Sequence, residues 1–234
     1  MIKKNILFLM VFQTVVLFCP VFASSSTQQS VIIQERMDNL SNFLKINKLV
    51  GMEVNKESLP KPYNFLLVQP LMTIGIEQYY QRTPEIKTIY AEQDHKSNCY
   101  SRVIYMFMNK EKVKYRKGGI QSKSNNINVE LAFITINFNE LSEQVIRSIL
   151  ENKTPFGKIL VNNKIKTFTK DRAYFSVKCT SDLAKILHCK INKNIYGRIN
   201  TLVREDNKNW VAQVIEILSG VTCSDTQCTV LLLP

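Results

Sequence analysis

Residues 129–138 read VELAFITINF, and the alternation is regular. Val129, Leu131 and Phe133 fall on one face; Glu130, Ala132 and Ile134 fall on the other. A period of two commits the segment to a β-strand. Residues 99–108, CYSRVIYMFM, carry the β-branched and aromatic residues of a second strand. The stretch between them is polar, basic and glycine-containing, so the two strands pair antiparallel across a long loop. Residues 196–204 and 210–218 form another such pair, joined at Glu205, Asp206, Asn207 and Lys208. Shorter strands are expected over 86–92 and 173–177.

Helical spacing surrounds these strands. Ile33, Met37, Leu40 and Leu44 mark a helix within 31–49, which Gly51 ends. Residues 64–82 form a second helix, whose main part starts near Leu71 or Met72, after Pro70. Asn139 or Ser142 caps a third, with Leu141, Val145, Ile146, Ile149 and Leu150 as its apolar stripe and Asn152 closing it. Thr154, Pro155, Phe156 and Gly157 then lead into a short helix or turn over 158–161, and residues 180–187 form a further helix. Helices first, then strands, with hairpin-length links, indicate an α+β domain built on an antiparallel sheet. The expected organisation is a signal peptide over 1–23, an N-terminal arm and helix over 24–64, the domain over 65–220 and a tail over 221–234.

The signal peptide rests on Lys3 and Lys4, an apolar run over 6–18, and small or branched residues at Val21 and Ala23. The run is shorter than the roughly 20 residues that a membrane span needs, so cleavage after Ala23 and export to a periplasm or medium are expected. No integral membrane span is expected after cleavage. The formal charge of +12 favours anionic partners. The basic residues are dispersed, without a run of five, so the anion expected is a small molecule and not nucleic acid. A monomer is expected.

Removal of Cys19 leaves five cysteines: Cys99, Cys179, Cys189, Cys223 and Cys228. An odd count leaves at least one thiol free. Cys223 and Cys228 flank a polar turn and are the first candidates for a disulfide; Cys179 and Cys189 are the second. No zinc-site spacing occurs among them, and His95 and His188 stand apart. Neither a phosphate-binding loop nor a nucleophile elbow is present. No cofactor or metal is expected.

What remains is charge inside strand patterns. Glu216 shares its face with apolar Val214 and Leu218, so it is expected to be partly buried and to need a cation. Arg102, among Tyr100, Val103 and Ile104, is a candidate partner; Arg198 follows Gly197 in the preceding strand. An apolar cavity with such charges suits a small anion.

Five pieces, TPFGKIL (154–160), LMTIGIEQ (71–78), SRVIY (101–105), YGRIN (196–200) and VIEIL (214–218), stand in order. Together they resemble the motifs of the chorismate pyruvate-lyase family. The resemblance implies a six-stranded antiparallel sheet with helices packed on it, enclosing the ligand. It also implies a cofactor-free lyase reaction, elimination of pyruvate from chorismate to leave 4-hydroxybenzoate. By motif match Arg102 binds the ring carboxylate, the Phe156 backbone hydrogen-bonds the same end, Met72 lines the cavity and Glu216 assists proton movement. Gly157 and Arg198 complete the implied binding set. One departure is that the family's further arginine on the strand after the long loop is missing; Arg116 or Lys117 of the loop are candidates to replace it. Export is the other departure, since it separates the protein from a cytoplasmic supply of chorismate. The readings carried forward are a lyase on chorismate or a related anionic enol ether, a non-catalytic exported small-anion binder of the same fold, and an exported interaction protein keeping the scaffold alone.

Overall fold

The computed structural model describes residues 25–110, 126–224 and 227–230. The expected signal peptide with Cys19, the loop candidates Arg116 and Lys117, and the LLLP end lie outside the described residues. Seven strands form one sheet: β1 (Gly51–Val54), β2 (Glu85–Asp94), β3 (Cys99–Asn109), β4 (Asn126–Asn137), β5 (Thr167–Lys178), β6 (Asn194–Arg204) and β7 (Trp210–Leu218). Their order is β1-β5-β6-β7-β4-β3-β2, and every neighbouring pair is antiparallel. The α+β class with an antiparallel sheet is therefore what the alternation indicates.

The seventh strand departs from the expected count of about six. It is β1, which pairs with the end of β5, Gly51 opposite Val177. Gly51 marks a helix end in the sequence, and a four-residue edge strand is too short for alternation to reveal. The segment over 24–64 thus supplies both an edge strand and a helix to the sheet.

That helix is α1 (Ser25–Leu44). It starts six residues before the 31–49 stretch in which helical spacing marks it. Ile33, Met37 and Leu40 recur at helical spacing and are buried against one face of the sheet, with Val103, Leu131, Phe133, Phe175, Ile199, Ile215 and Ile217. α6 (Ser181–Leu187) covers the same face through Leu183 and Leu187. Thr180 caps it by accepting from the Leu183 N–H at 3.2 Å.

The opposite face carries α2 (Tyr63–Leu66), α3 (Met72–Tyr80), α4 (Glu143–Leu150) and α5 (Phe156–Asn162). Two apolar groups pack there, one around α2 and α3 and one around α4 and α5. α4 starts after Ser142, while Asn137 accepts from the Asn139 N–H in the short turn before it. Beyond the sheet, β8 (Val221–Cys223) and β9 (Cys228–Val230) form a two-stranded ribbon. Disulfides join Cys223 to Cys228 and Cys179 to Cys189, and Cys99 is a free thiol. No helix among the described residues is long and apolar enough to cross a membrane.

Gly197 has a steric reason. A Cβ built there would lie 2.3 Å from the Glu216 carbonyl oxygen and 2.4 Å from Phe175 Cζ. The Phe175 ring crosses β6 through the missing side chain. Gly197→Ala is expected to lower the unfolding free energy by about 1–3 kcal/mol, the usual range for overpacking. Denaturant titration measures this, and an unchanged midpoint would show that the ring moves aside freely.

Candidate functional site

Between the sheet and its helical cover lies a cavity of about 50 Å³. Its floor is set by strand register. In one row across the sheet, Ile104 of β3 faces Ala132 of β4, which faces Glu216 of β7, which faces Arg198 of β6. In the next row Arg102 faces Ile134, then Val214, then Asn200. On the other side Met106 faces Glu130. Alternation puts all of these on the face away from α1. The walls are Leu71, Met72 and Thr73 at the start of α3 and Phe156 and Gly157 at the start of α5. The N–H groups of Phe156 and Gly157 belong to the first turn of α5, where a helix has no internal acceptor.

Met72, Arg102, Phe156, Gly157, Arg198 and Glu216 all line this one cavity. The expected partnership of Arg102 with Glu216 does not occur. Arg198 Nε hydrogen-bonds Glu216 Oε2 instead, because register places these two opposite each other and Arg102 one row away. Arg198 Nη1 also donates to the carbonyls of Leu67, at 2.9 Å, and Gln69. Arg172 grips the same backbone, donating to the Val68 carbonyl at 2.8 Å and to Gln69 at 3.2 Å. The linker between α2 and α3 is thus tied to the sheet through two guanidiniums.

Arg102 is fully buried, 0% exposed. Its Nη1 donates to the Ile149 carbonyl at 3.3 Å and to Asn152 Oδ1 at 3.2 Å. Asn152 ends α4 in the left-handed region, φ 55°, and also accepts from Thr88 and Tyr100 hydroxyls at 3.1 and 3.2 Å. The end of one helix therefore aims the arginine. Its Nε and Nη2 have no partner among the described residues. Burial pulls the guanidinium below its ordinary value, and Tyr100 partly offsets this.

Two cavity residues carry no role in the sequence reading. Glu130 is 1% exposed, and burial lifts its carboxyl well above the usual carboxylate range. The Glu216 charge raises it further, Arg198 opposes, and a hydrogen bond to Glu216 raises it again. Burial and the neighbouring Glu216 thus favour the neutral form of Glu130. Asn200 is also buried, with Oδ1 unpartnered. The signal for Glu130 is in the alternation, where it is the charged member of an otherwise apolar face with Ala132 and Ile134. Of the six buried side-chain polar atoms without a partner among the described residues, four belong to Arg102, Glu130 and Asn200.

Neither a protein-family model nor a curated protein matches the chain in sequence. In structure the chain is similar to PhnF from Mycobacterium smegmatis, at 8% identity and a TM-score of 0.47, over 66% of this chain and 65% of that one. The effector domain of PhnF aligns at 10% identity and a TM-score of 0.43, over 65% of this chain and 92% of that domain. A GntR-family transcriptional regulator from Enterococcus faecalis aligns at 10% identity and a TM-score of 0.35, over 58% of this chain and 93% of the other. The chain thus spans just under two thirds of the length of the longer PhnF structure. These likenesses are too slight to carry a ligand, a partner or an activity over to this chain.

The Glu130 carboxyl makes stability depend on pH. Below its unfolded value of about 4.3 it is protonated in both states. Above that, the unfolded chain ionises first, because the folded value is raised. The stabilisation present at low pH is lost as pH rises toward the folded value. Glu130→Gln, a neutral isostere, removes this loss. The variant should melt with wild type near pH 4 and above it at pH 7, the gap widening by up to about 1.4 kcal/mol per pH unit. Parallel melting curves at both pH values would show that Glu130 is ionised in the fold.

Proposed function

We propose that this cavity binds a small carboxylate-bearing molecule, with Arg102 as the group that holds the carboxylate. One observation carries the reading: a fully buried guanidinium that leaves Nε and Nη2 without partners among the described residues. Buried donors are ordinarily satisfied. Nε and one terminal nitrogen form the parallel pair that suits two carboxylate oxygens. The first-turn N–H groups of α5 sit on the same wall and supply further donors. Entry of a ring-sized ligand needs more than the 50 Å³ present, since such sites measure about 300–1,000 Å³. Separation of α3 from α5, bridged at their surface by Lys158 and Glu77 at 3.3 Å, would enlarge it.

A second reading is enzymatic, and the convergence of the motif residues on one cavity favours it. The resemblance to the chorismate pyruvate-lyase family gives Arg102 the ring carboxylate, Phe156 a backbone hydrogen bond and Glu216 the proton movement of aromatisation. Glu216 is held by Arg198, and burial raises the neighbouring Glu130 carboxyl, which supports a proton-transfer role for the two together. Export through residues 1–23 belongs to the proposal too, and it favours the binder, since chorismate arises in the cytoplasm.

Calorimetric titration with 4-hydroxybenzoate tests the first reading. Arg102→Ala should weaken binding by at least about tenfold, the value of a charge-assisted hydrogen bond or more. Equal affinity in the variant would remove Arg102 as the clamp. Incubation with chorismate separates the readings. Released 4-hydroxybenzoate that depends on Glu216 supports the lyase, and binding without product supports the binder.

A further inference from the structure

The cavity's charges limit its ligand further than the presence of Arg102 does. This inference rests on the carboxylate-binding reading. The ionisable residues lining the cavity are Arg102 of β3, Glu130 of β4, Arg198 of β6 and Glu216 of β7; the lining from α3 and α5 adds none. Arg198 is spent on Glu216 and on the carbonyls of Leu67 and Gln69. Arg102 is the cation left over, so the cavity has room for one negative charge. A second carboxylate would be buried without a counter-ion, which is strongly unfavourable.

Two other cavity atoms without partners among the described residues, on Glu130 and Asn200, bear on the rest of the ligand. Glu130 lies four residues along β4 from Ile134, the residue facing Arg102. At about 3.4 Å per residue the two positions are roughly 14 Å apart along the strands, with side chains that converge on the cavity between them. Glu130 is buried in the cavity lining, and its Oε2 has no partner among the described residues. Such a carboxyl oxygen accepts a hydrogen bond. Asn200 Oδ1 is another unpartnered acceptor in the same cavity. Donors therefore wait at Arg102, one acceptor lies further along the strands at Glu130, and Asn200 offers another across the sheet in the row of Arg102.

We propose that Glu130 is a specificity-determining residue, which restricts the cavity to monocarboxylates carrying a hydroxyl or other neutral hydrogen-bond donor at the end distant from the carboxylate. A dicarboxylate, chorismate included, is then a poorer ligand than a hydroxylated monocarboxylate.

Three probes of one shape test this: benzoate, 4-hydroxybenzoate and terephthalate, titrated at pH 7 into the purified, disulfide-intact protein. 4-Hydroxybenzoate should bind about five- to tenfold more tightly than benzoate, the increment of one neutral hydrogen bond. Terephthalate should bind at least about a hundredfold more weakly than 4-hydroxybenzoate. Glu130→Gln, whose amide can donate to Glu216 and accept from the ligand, should keep the hydroxyl preference. Glu130→Leu, of similar volume and without an acceptor, should bind benzoate and 4-hydroxybenzoate equally. Equal binding of those two by wild type, terephthalate binding as tightly as 4-hydroxybenzoate, or a hydroxyl preference that survives Glu130→Leu each overturns the proposal. If benzoate binding is meanwhile lost in Arg102→Ala, the carboxylate clamp stands and the role of Glu130 alone falls. If wild type binds none of the three, the clamp and this inference fall together.

Discussion

The structure turns on the buried pair of Arg198 and Glu216. It links adjacent central strands, and Arg198 extends it to the backbone that joins α2 to α3. Such a pair does not stabilise merely by existing, because removing two charges from water is expensive. It persists where the remaining donors and lone pairs are satisfied. Here the carbonyls of Leu67 and Gln69 take the Nη1 donors of Arg198, and burial favours a neutral Glu130 beside Glu216. The helical cover is thereby located over the sheet by charge as well as by apolar packing. That fixes where the cavity can open.

The two faces of the sheet divide the labour. The face under α1 and α6 is filled mainly with Val, Ile, Leu and Phe, and the polar side chains buried there, Ser41 and Thr201, have hydrogen-bond partners. The other face carries Arg102, Glu130, Arg198, Asn200 and Glu216 in three neighbouring rows. Polar groups at that density in a core are tolerable only as a connected network or as a site. The network accounts for Arg198 and Glu216. It does not account for Arg102, whose contacts with Ile149 and Asn152 position it without satisfying it.

Much of this was legible before the fold was known. Alternation alone assigns Arg102, Glu130 and Glu216 to faces, and it identifies Glu216 as a buried carboxylate needing a cation. It cannot say which cation, because partner choice depends on register between strands distant in sequence. Arg102 and Arg198 are equivalent on that count; sheet order puts Arg198 on the strand beside Glu216 and Arg102 two strands away and one row off. Glu130 was on a correctly drawn face, yet its weight comes from Glu216 beside it, which is again a register fact. β1 was lost for a different reason. Four residues after a glycine carry too little pattern to outweigh a helix-end signal.

Residues 149–160 show how a short local signal can control a distant charge. The carbonyl of Ile149 and the side chain of Asn152 close α4, and these same groups orient Arg102 from the strand below. Four residues on, Phe156 opens α5 and walls the cavity that Arg102 faces. A helix end and a helix start, held close by Pro155, thus do two tasks with one turn. They aim the guanidinium, and they bring the start of α5 into the wall of the same cavity. Arg102 alone could be a costly core residue. Arg102 aimed by a helix end into a cavity keeps two donors, Nε and Nη2, without partners among the described residues. Glu216 does not take them, because sheet order and register give it to Arg198.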